Sequence, residues 1–116
     1  MRRPIRHSLV AALAIAPLPA VAAAQEMQPA RMTTSPAATF VSEAAQRFGL
    51  PEAWICAVIR VESRGDPRAV SPAGAMGLMQ VMPSTWAELR IRHALGRDPF
   101  EPRDNILAGT AYLREM

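Results

Sequence analysis

A chain of 116 residues is long enough for one small domain and too short for two. All thirteen of its cations are arginines, and three of them (Arg2, Arg3 and Arg6) fall in the first six residues; without these, ten arginines face ten acidic side chains and the net charge is zero. The formal charge of +3 is therefore no argument for nucleic acid, and the single cysteine, Cys56, excludes an intrachain disulfide.

The N-terminal residues read as an export signal. Arginines precede an apolar run from Ser8 to Val21, and Ala22-Ala23-Ala24 offers a small-residue cleavage pattern before Gln25. The run is shorter than the roughly 20 residues a membrane span needs, and Pro17 and Pro19 interrupt it. Residues 1–24 are thus expected to be a signal peptide, with no membrane span left after its removal. Export also implies an oxidising compartment.

Residues 25–36 are polar and small, with Pro29, Thr33, Thr34 and Ser35, and read as a flexible leader. The domain is expected over 37–116. Ser35-Pro36 supplies a cap and a first-turn proline for a first helix, in which Ala37, Phe40, Val41, Ala44, Ala45 and Phe48 recur at helical spacing up to Gly49. Pro51 opens a second helix, whose apolar residues Trp54, Ile55, Ala57, Val58, Ile59 and Val61 nearly encircle it and predict packing on most sides until Gly65 ends it. Prolines, glycines and Ser71 make Asp66–Gly77 an irregular loop with room for a short hairpin. Pro83 starts a third helix through Trp86, Leu89 and Ile91. After a connection from Arg92 to Pro102, Asp104 is the expected cap of a last helix carrying Ile106, Leu107, Ala108, Ala111, Tyr112 and Leu113 to Met116. No segment alternates with period two and no repeat is visible, so the class is mainly α, with orthogonal helices around a cleft.

One acidic residue stands out. Ile55, Val58, Ile59 and Glu62 share a stripe of the second helix, so the Glu62 carboxyl points along apolar neighbours. Loss of hydration disfavours the ionised form and raises the pKa, as a general acid working near neutral pH requires. In the loop that follows, Ser71 and Gln80 offer a hydroxyl and an amide suited to sugar hydroxyls or N-acetyl groups. Met76, Met79 and Met82 recur every three residues, either as core filler or, for Met79 and Met82, as apolar flooring under a sugar ring. Asp66, between Gly65 and Pro67, reads as a turn residue rather than a second catalytic acid. Cys56 reads as a small buried apolar residue. His93 has no partner at metal-ligand spacing, so no metal and no cofactor are expected.

The pair Glu62-Ser63, the step Ala69-Val70-Ser71, and the run Gly74-Ala75-Met76-Gly77-Leu78-Met79-Gln80 followed by Val81-Met82-Pro83 resemble the soluble lytic transglycosylase (SLT) domain, with goose-type lysozyme as a more distant relative. The resemblance runs from about Phe40 to Met116 and includes Asp104-Asn105-Ile106, Gly109, Tyr112 and Leu113. It implies a lysozyme-like helical domain with an irregular active-site loop. It also implies cleavage of the β-1,4 bond between N-acetylmuramic acid and N-acetylglucosamine in peptidoglycan, leaving 1,6-anhydromuramoyl ends. Glu62 would then act as acid and afterwards as base, Ser63 would support the loop beside it, Ser71, Met79, Gln80 and Met82 would line the sugar sites, and Tyr112 would approach the acid from the last helix. A lone acid suits this reaction because the nucleophile belongs to the substrate, whereas ordinary glycosidases use two carboxylates.

In that family a further helix with an Ala-Tyr-Asn-Ala-Gly segment follows, and this chain stops before it, so the domain is expected to be incomplete at its C-terminal end. Export with a short leader resembles the small members attached to secretion or conjugation machinery. The expected location is periplasmic or cell-wall associated. Two other readings stand beside the enzyme: a noncatalytic wall-binding or secretion-accessory remnant of the family, and a hydrolytic muramidase.

Overall fold

Four helices carry residues 36–116, the part of the chain described in this computed structural model: α1 (Pro36–Phe48), α2 (Glu52–Ser63), α3 (Pro83–Arg92) and α4 (Pro102–Glu115). The expected signal peptide, the leader up to Ser35 and the Ser35 cap lie outside these residues. Proline opens α1, α3 and α4, where its missing N–H costs nothing and its fixed φ suits the first turn. Each of the four helices has arginine in its last turn, opposite the partial negative charge of the exposed carbonyls.

The core is built from Val41, Ala44 and Ala45 of α1, Ile55, Val58 and Ile59 of α2, Trp86 and Leu89 of α3, and Ile106, Leu107, Ala108 and Ala111 of α4. Leu78, Met79 and Val81, from the loop between α2 and α3, complete it. The seven consecutive residues Asn105–Ala111 are all buried, so α4 is the central element, with α1 its most extensive partner and α3 the next.

Three expectations need correction. The helix enclosed on most sides is α4, not α2: Trp54 and Val61 are 50% and 56% exposed, and α2 buries only the Ile55, Val58 and Ile59 face together with Ser63. Ile91 is 74% exposed, so α3 is anchored by Trp86 and Leu89 alone. The cap of α4 is Glu101, whose carboxylate accepts the Asp104 N–H at 2.9 Å, while the Asp104 carboxylate instead accepts the Gly96 N–H of the preceding connection at 2.9 Å. Hydrophobic spacing marks an apolar residue without saying which side of the helix a neighbour will occupy, and a three-residue ambiguity in a proline-led start is resolved only by the bonds made.

Candidate active site

Glu62 lies in the last turn of α2, on the side that buries Ile55, Val58 and Ile59, and is itself half-buried. The next residues turn the chain at once. Ser63 Oγ donates to the Ile59 carbonyl at 3.0 Å and accepts from the Gly65 N–H at 3.1 Å, sealing the helix end from within. Arg64, at φ 56, is the left-handed cap, and Gly65 follows at φ 83. The helix thus stops one residue earlier than the glycine suggested. The Asp66 N–H returns to the Ser63 carbonyl at 3.0 Å and Asp66 Oδ1 accepts the Arg68 N–H at 2.9 Å, the turn role expected of it.

From there the backbone folds into two small loops stacked by isolated antiparallel bridges, Val70 with Met76 and Met76 with Val81, so the short hairpin is present. Ser71 organises the first: its N–H reaches the Ala75 carbonyl at 3.0 Å and its Oγ accepts the Ala75 N–H at 2.9 Å around Pro72-Ala73-Gly74. Gln80 organises the second from an unusual backbone, φ 52, its Nε2 donating to the carbonyls of Ala69 at 3.1 Å and Gly77 at 3.0 Å. Gln80 is buried, and its amide nitrogen is committed to the loop rather than directed at a sugar.

The whole loop is fastened to α4 by Asn105, a side chain with 0% exposure. Its Oδ1 accepts the Met79 N–H at 2.8 Å, and its Nδ2 donates to the carbonyls of Met76 at 2.9 Å and Pro99 at 2.8 Å. The bonds to the Met79 N–H and the Pro99 carbonyl satisfy loop backbone groups that lie outside any helix, while the Met76 carbonyl also accepts the Val81 N–H. Gly77, at φ +76, exists for this contact, since a Cβ there would stand 2.4 Å from Asn105 Nδ2. One turn along α4, Gly109 leaves a notch filled by Met79: a Cβ would meet Met79 Cβ at 2.5 Å and Sδ at 2.6 Å. Met79 Sδ accepts the Thr110 hydroxyl at 3.7 Å.

Met79, fully buried at 0% exposure, is therefore core, and its side chain is not flooring for a sugar. Close packing against a glycine leaves no face of the thioether toward solvent. Met82 is half-buried at the start of α3, and Ser71 is half-buried at its turn. Tyr112 shares the α4 stripe of Asn105 and Gly109, the face that carries the loop, and is half-buried against the core; burial first, then the Glu115 charge, raises its hydroxyl pKa. Cys56 packs against the core and burial, aided by Glu52, raises its thiol pKa. Among the described residues, no three His, Cys, Asp or Glu side chains are grouped to hold a metal ion, and no helix is long and apolar enough to cross a membrane.

The roles of Asn105 and Gly109 as fasteners were missed in the sequence reading. The available signal was an amide side chain, Asn105, opening a run to Ala111 in which only Thr110 is also polar, a position that only a full set of buried bonds tolerates.

A half-buried acid at a helix end, followed by a loop stitched to a central helix, fits a lysozyme-like helical domain. The chain matches the family model described as the Transglycosylase SLT domain over residues 39–116, and it belongs to that family. It is 39% identical over 75 residues to a transglycosylase of Enterobacteria phage PRD1, covering 65% of this chain and 26% of that protein. It is 37% identical over 81 residues to the membrane-bound lytic murein transglycosylase C of Mannheimia succiniciproducens, covering 65% of this chain and 23% of that one. The fold also matches the X-ray structure of the lytic transglycosylase Slt from Pseudomonas aeruginosa, an inactive Glu-to-Gln mutant, with a TM-score of 0.61 and 33% identity over 66% of this chain and 13% of the other. The chain thus spans about a quarter of the length of these curated relatives.

Proposed function

We propose that this chain is a peptidoglycan lytic transglycosylase domain in which Glu62 is the sole acid and base. The observation that carries the reading is the placement of Glu62, half-buried at the end of the core-facing stripe of α2, directly before the hydrogen-bonded loop that Asn105 fastens to α4. Two relatives named as transglycosylases of phage and murein type support it, as does a solved relative rendered inactive by exchanging one glutamate for glutamine.

In the proposed reaction the protonated Glu62 carboxyl donates its proton to the glycosidic oxygen, and the C1–O bond between N-acetylmuramic acid and N-acetylglucosamine breaks. The C6 hydroxyl of the muramoyl residue closes on C1, and the Glu62 carboxylate takes the hydroxyl proton, which restores the acid. No water is consumed. A positioned proton donor of this kind contributes about 10² to 10⁴ in rate. Ser63 holds the helix end that aims Glu62, Gln80 and Met79 hold the loop from inside, and Ser71, Met82 and Tyr112 remain the side chains open enough to meet the glycan. Residues 1–24 export the domain to the periplasm or cell wall, where secretion or conjugation machinery is its partner.

Digestion of purified sacculi followed by mass spectrometry tests this. Anhydro-muropeptides released by the protein and absent with Glu62→Gln are the expected result, and an undiminished yield from Glu62→Gln refutes it. Reducing ends in place of anhydro ends identify a hydrolytic muramidase. Retention on sacculi with no product, unaffected by Glu62→Gln, identifies a noncatalytic wall-binding module.

A further inference from the structure

Away from Glu62, the ends of α1 and α3 meet at His93. The His93 N–H bonds the Leu89 carbonyl at 2.9 Å, Ala94 takes φ 55, and the Leu95 N–H reaches back to the Arg90 carbonyl at 2.8 Å, closing α3 in a left-handed cap whose last residue is buried. This cap fixes where the imidazole points. The ring stands edge-on to Phe48 at the end of α1, with centroids 5.2 Å apart and planes at 90°. Arg47 lies over the other aromatic, 5.4 Å from the Phe48 centroid, and its Nη2 donates to the His93 carbonyl at 3.3 Å. His93 Nε2 is sealed from solvent with no hydrogen-bond partner among the described residues.

The ring lies in the field of two cations, Arg47 of α1 and Arg92 at the end of α3, while Glu115 of α4 is the opposing carboxylate and is already paired with Arg92, as is Glu88 one turn away. A neutral imidazole tolerates the position at the cost of one unmade bond. A protonated one would bury an N–H with no acceptor beside two guanidinium groups. We propose that His93 is an acid-operated latch, whose neutral ring pins the end of α1 to the end of α3 and whose protonation releases that corner of the domain.

The direction of the effect follows from linkage. Burial first, then Arg47 and Arg92, lower the His93 pKa from 6.5, with Glu115 opposing them. The unfolded chain therefore binds the proton before the folded one does. Stability is complete above the unfolded value and declines as pH falls below it, until the folded value is passed. In that window the opening equilibrium rises by at most tenfold per pH unit, the signature of one proton. The Glu43–Arg103 pair responds in a lower window, because the lowered carboxylate pKa of Glu43 lies below 4.5.

Urea denaturation of the full chain from pH 8 to pH 5, with an NMR titration of the imidazole, tests the latch. The expected result is a fall in midpoint below about pH 6.5, an imidazole titrating below the free value, and a flat profile in His93→Phe, which keeps the ring contact with Phe48 but carries no titrating nitrogen. Equal acid dependence in the protein and in His93→Phe overturns the proposal. If His93→Phe does not fold, Arg47→Met decides: removing one facing cation shrinks the acid loss if the latch operates, and an unchanged or larger loss overturns it.

Discussion

Replacing Asn105 by alanine tests the central claim about how the loop is held. The side chain makes three bonds from a site with 0% exposure. Its removal leaves the Met79 N–H buried with no acceptor, a cost of about 1–3 kcal/mol. The Pro99 carbonyl loses its amide partner in a partly solvated position, about 0.5–1.5 kcal/mol, and the vacated amide volume adds roughly 1 kcal/mol more. The Met76 carbonyl is spared because it also accepts the Val81 N–H at 3.0 Å. The sum is about 2.5–5.5 kcal/mol, against a total of roughly 4–12 kcal/mol expected for a domain of this size at 0.05–0.15 kcal/mol per residue. Asn105→Ala should therefore retain its helical circular dichroism only at low urea, with rapid amide exchange at Met79 and Gln80. Asn105→Asp adds a sharper readout. It keeps the acceptor for Met79 but turns an anionic oxygen toward the carbonyls of Met76 and Pro99, so its stability should rise as pH falls and the new carboxyl takes a proton. A loss below about 1 kcal/mol in Asn105→Ala, with Met79 still protected, would refute the account of the loop.

Further outcomes follow from neighbouring geometry. Gly77→Ala places a methyl 2.4 Å from Asn105 Nδ2 at φ +76, whereas Gly65→Ala at φ +83 meets open space; the second should cost about 1–2 kcal/mol for the left-handed backbone and the first clearly more, as compared by urea midpoints. The Glu43–Arg103 pair is partly exposed, so Arg103→Gln should cost only about 0.2–1 kcal/mol. Its Arg103 hydrogen bond depresses the Glu43 pKa, so the contribution is present above pH 4.5, vanishes as pH falls through the lowered value, and weakens in high salt. The raised thiol pKa of Cys56 predicts slow reaction with a thiol reagent at pH 7.5 and a rate many-fold faster in urea; equal rates would contradict the packing of that side chain.

Local chemistry marked most helix limits correctly. Pro36 and Gly49 bracket α1, Pro83 opens α3, and the Ile55, Val58, Ile59 stripe is buried as its spacing requires. The turn role of Asp66 and the small hairpin were also legible, since both arise within a few residues. What could not be read was which neighbour each apolar face would meet. Trp54, Val61 and Ile91 satisfy helical spacing yet face outward, and Met79 was open to two readings until Gly109, thirty residues on, supplied a notch for it. The Asn105 bonds to Met76 and Met79 join positions separated by 29 and 26 residues, a distance over which periodicity carries no information. The position of Glu62 on a core-facing stripe was visible from the start because it depends only on its own helix.

The three methionines of the loop differ in what can reach them. Met79 is locked between a glycine notch and a threonine hydroxyl, while Met76 and Met82 are half-buried. Peroxide would convert the accessible sulfurs to sulfoxide while the keystone one stays reduced. The fold thereby shields from oxidative damage the one thioether whose added oxygen would force α4 and the loop apart.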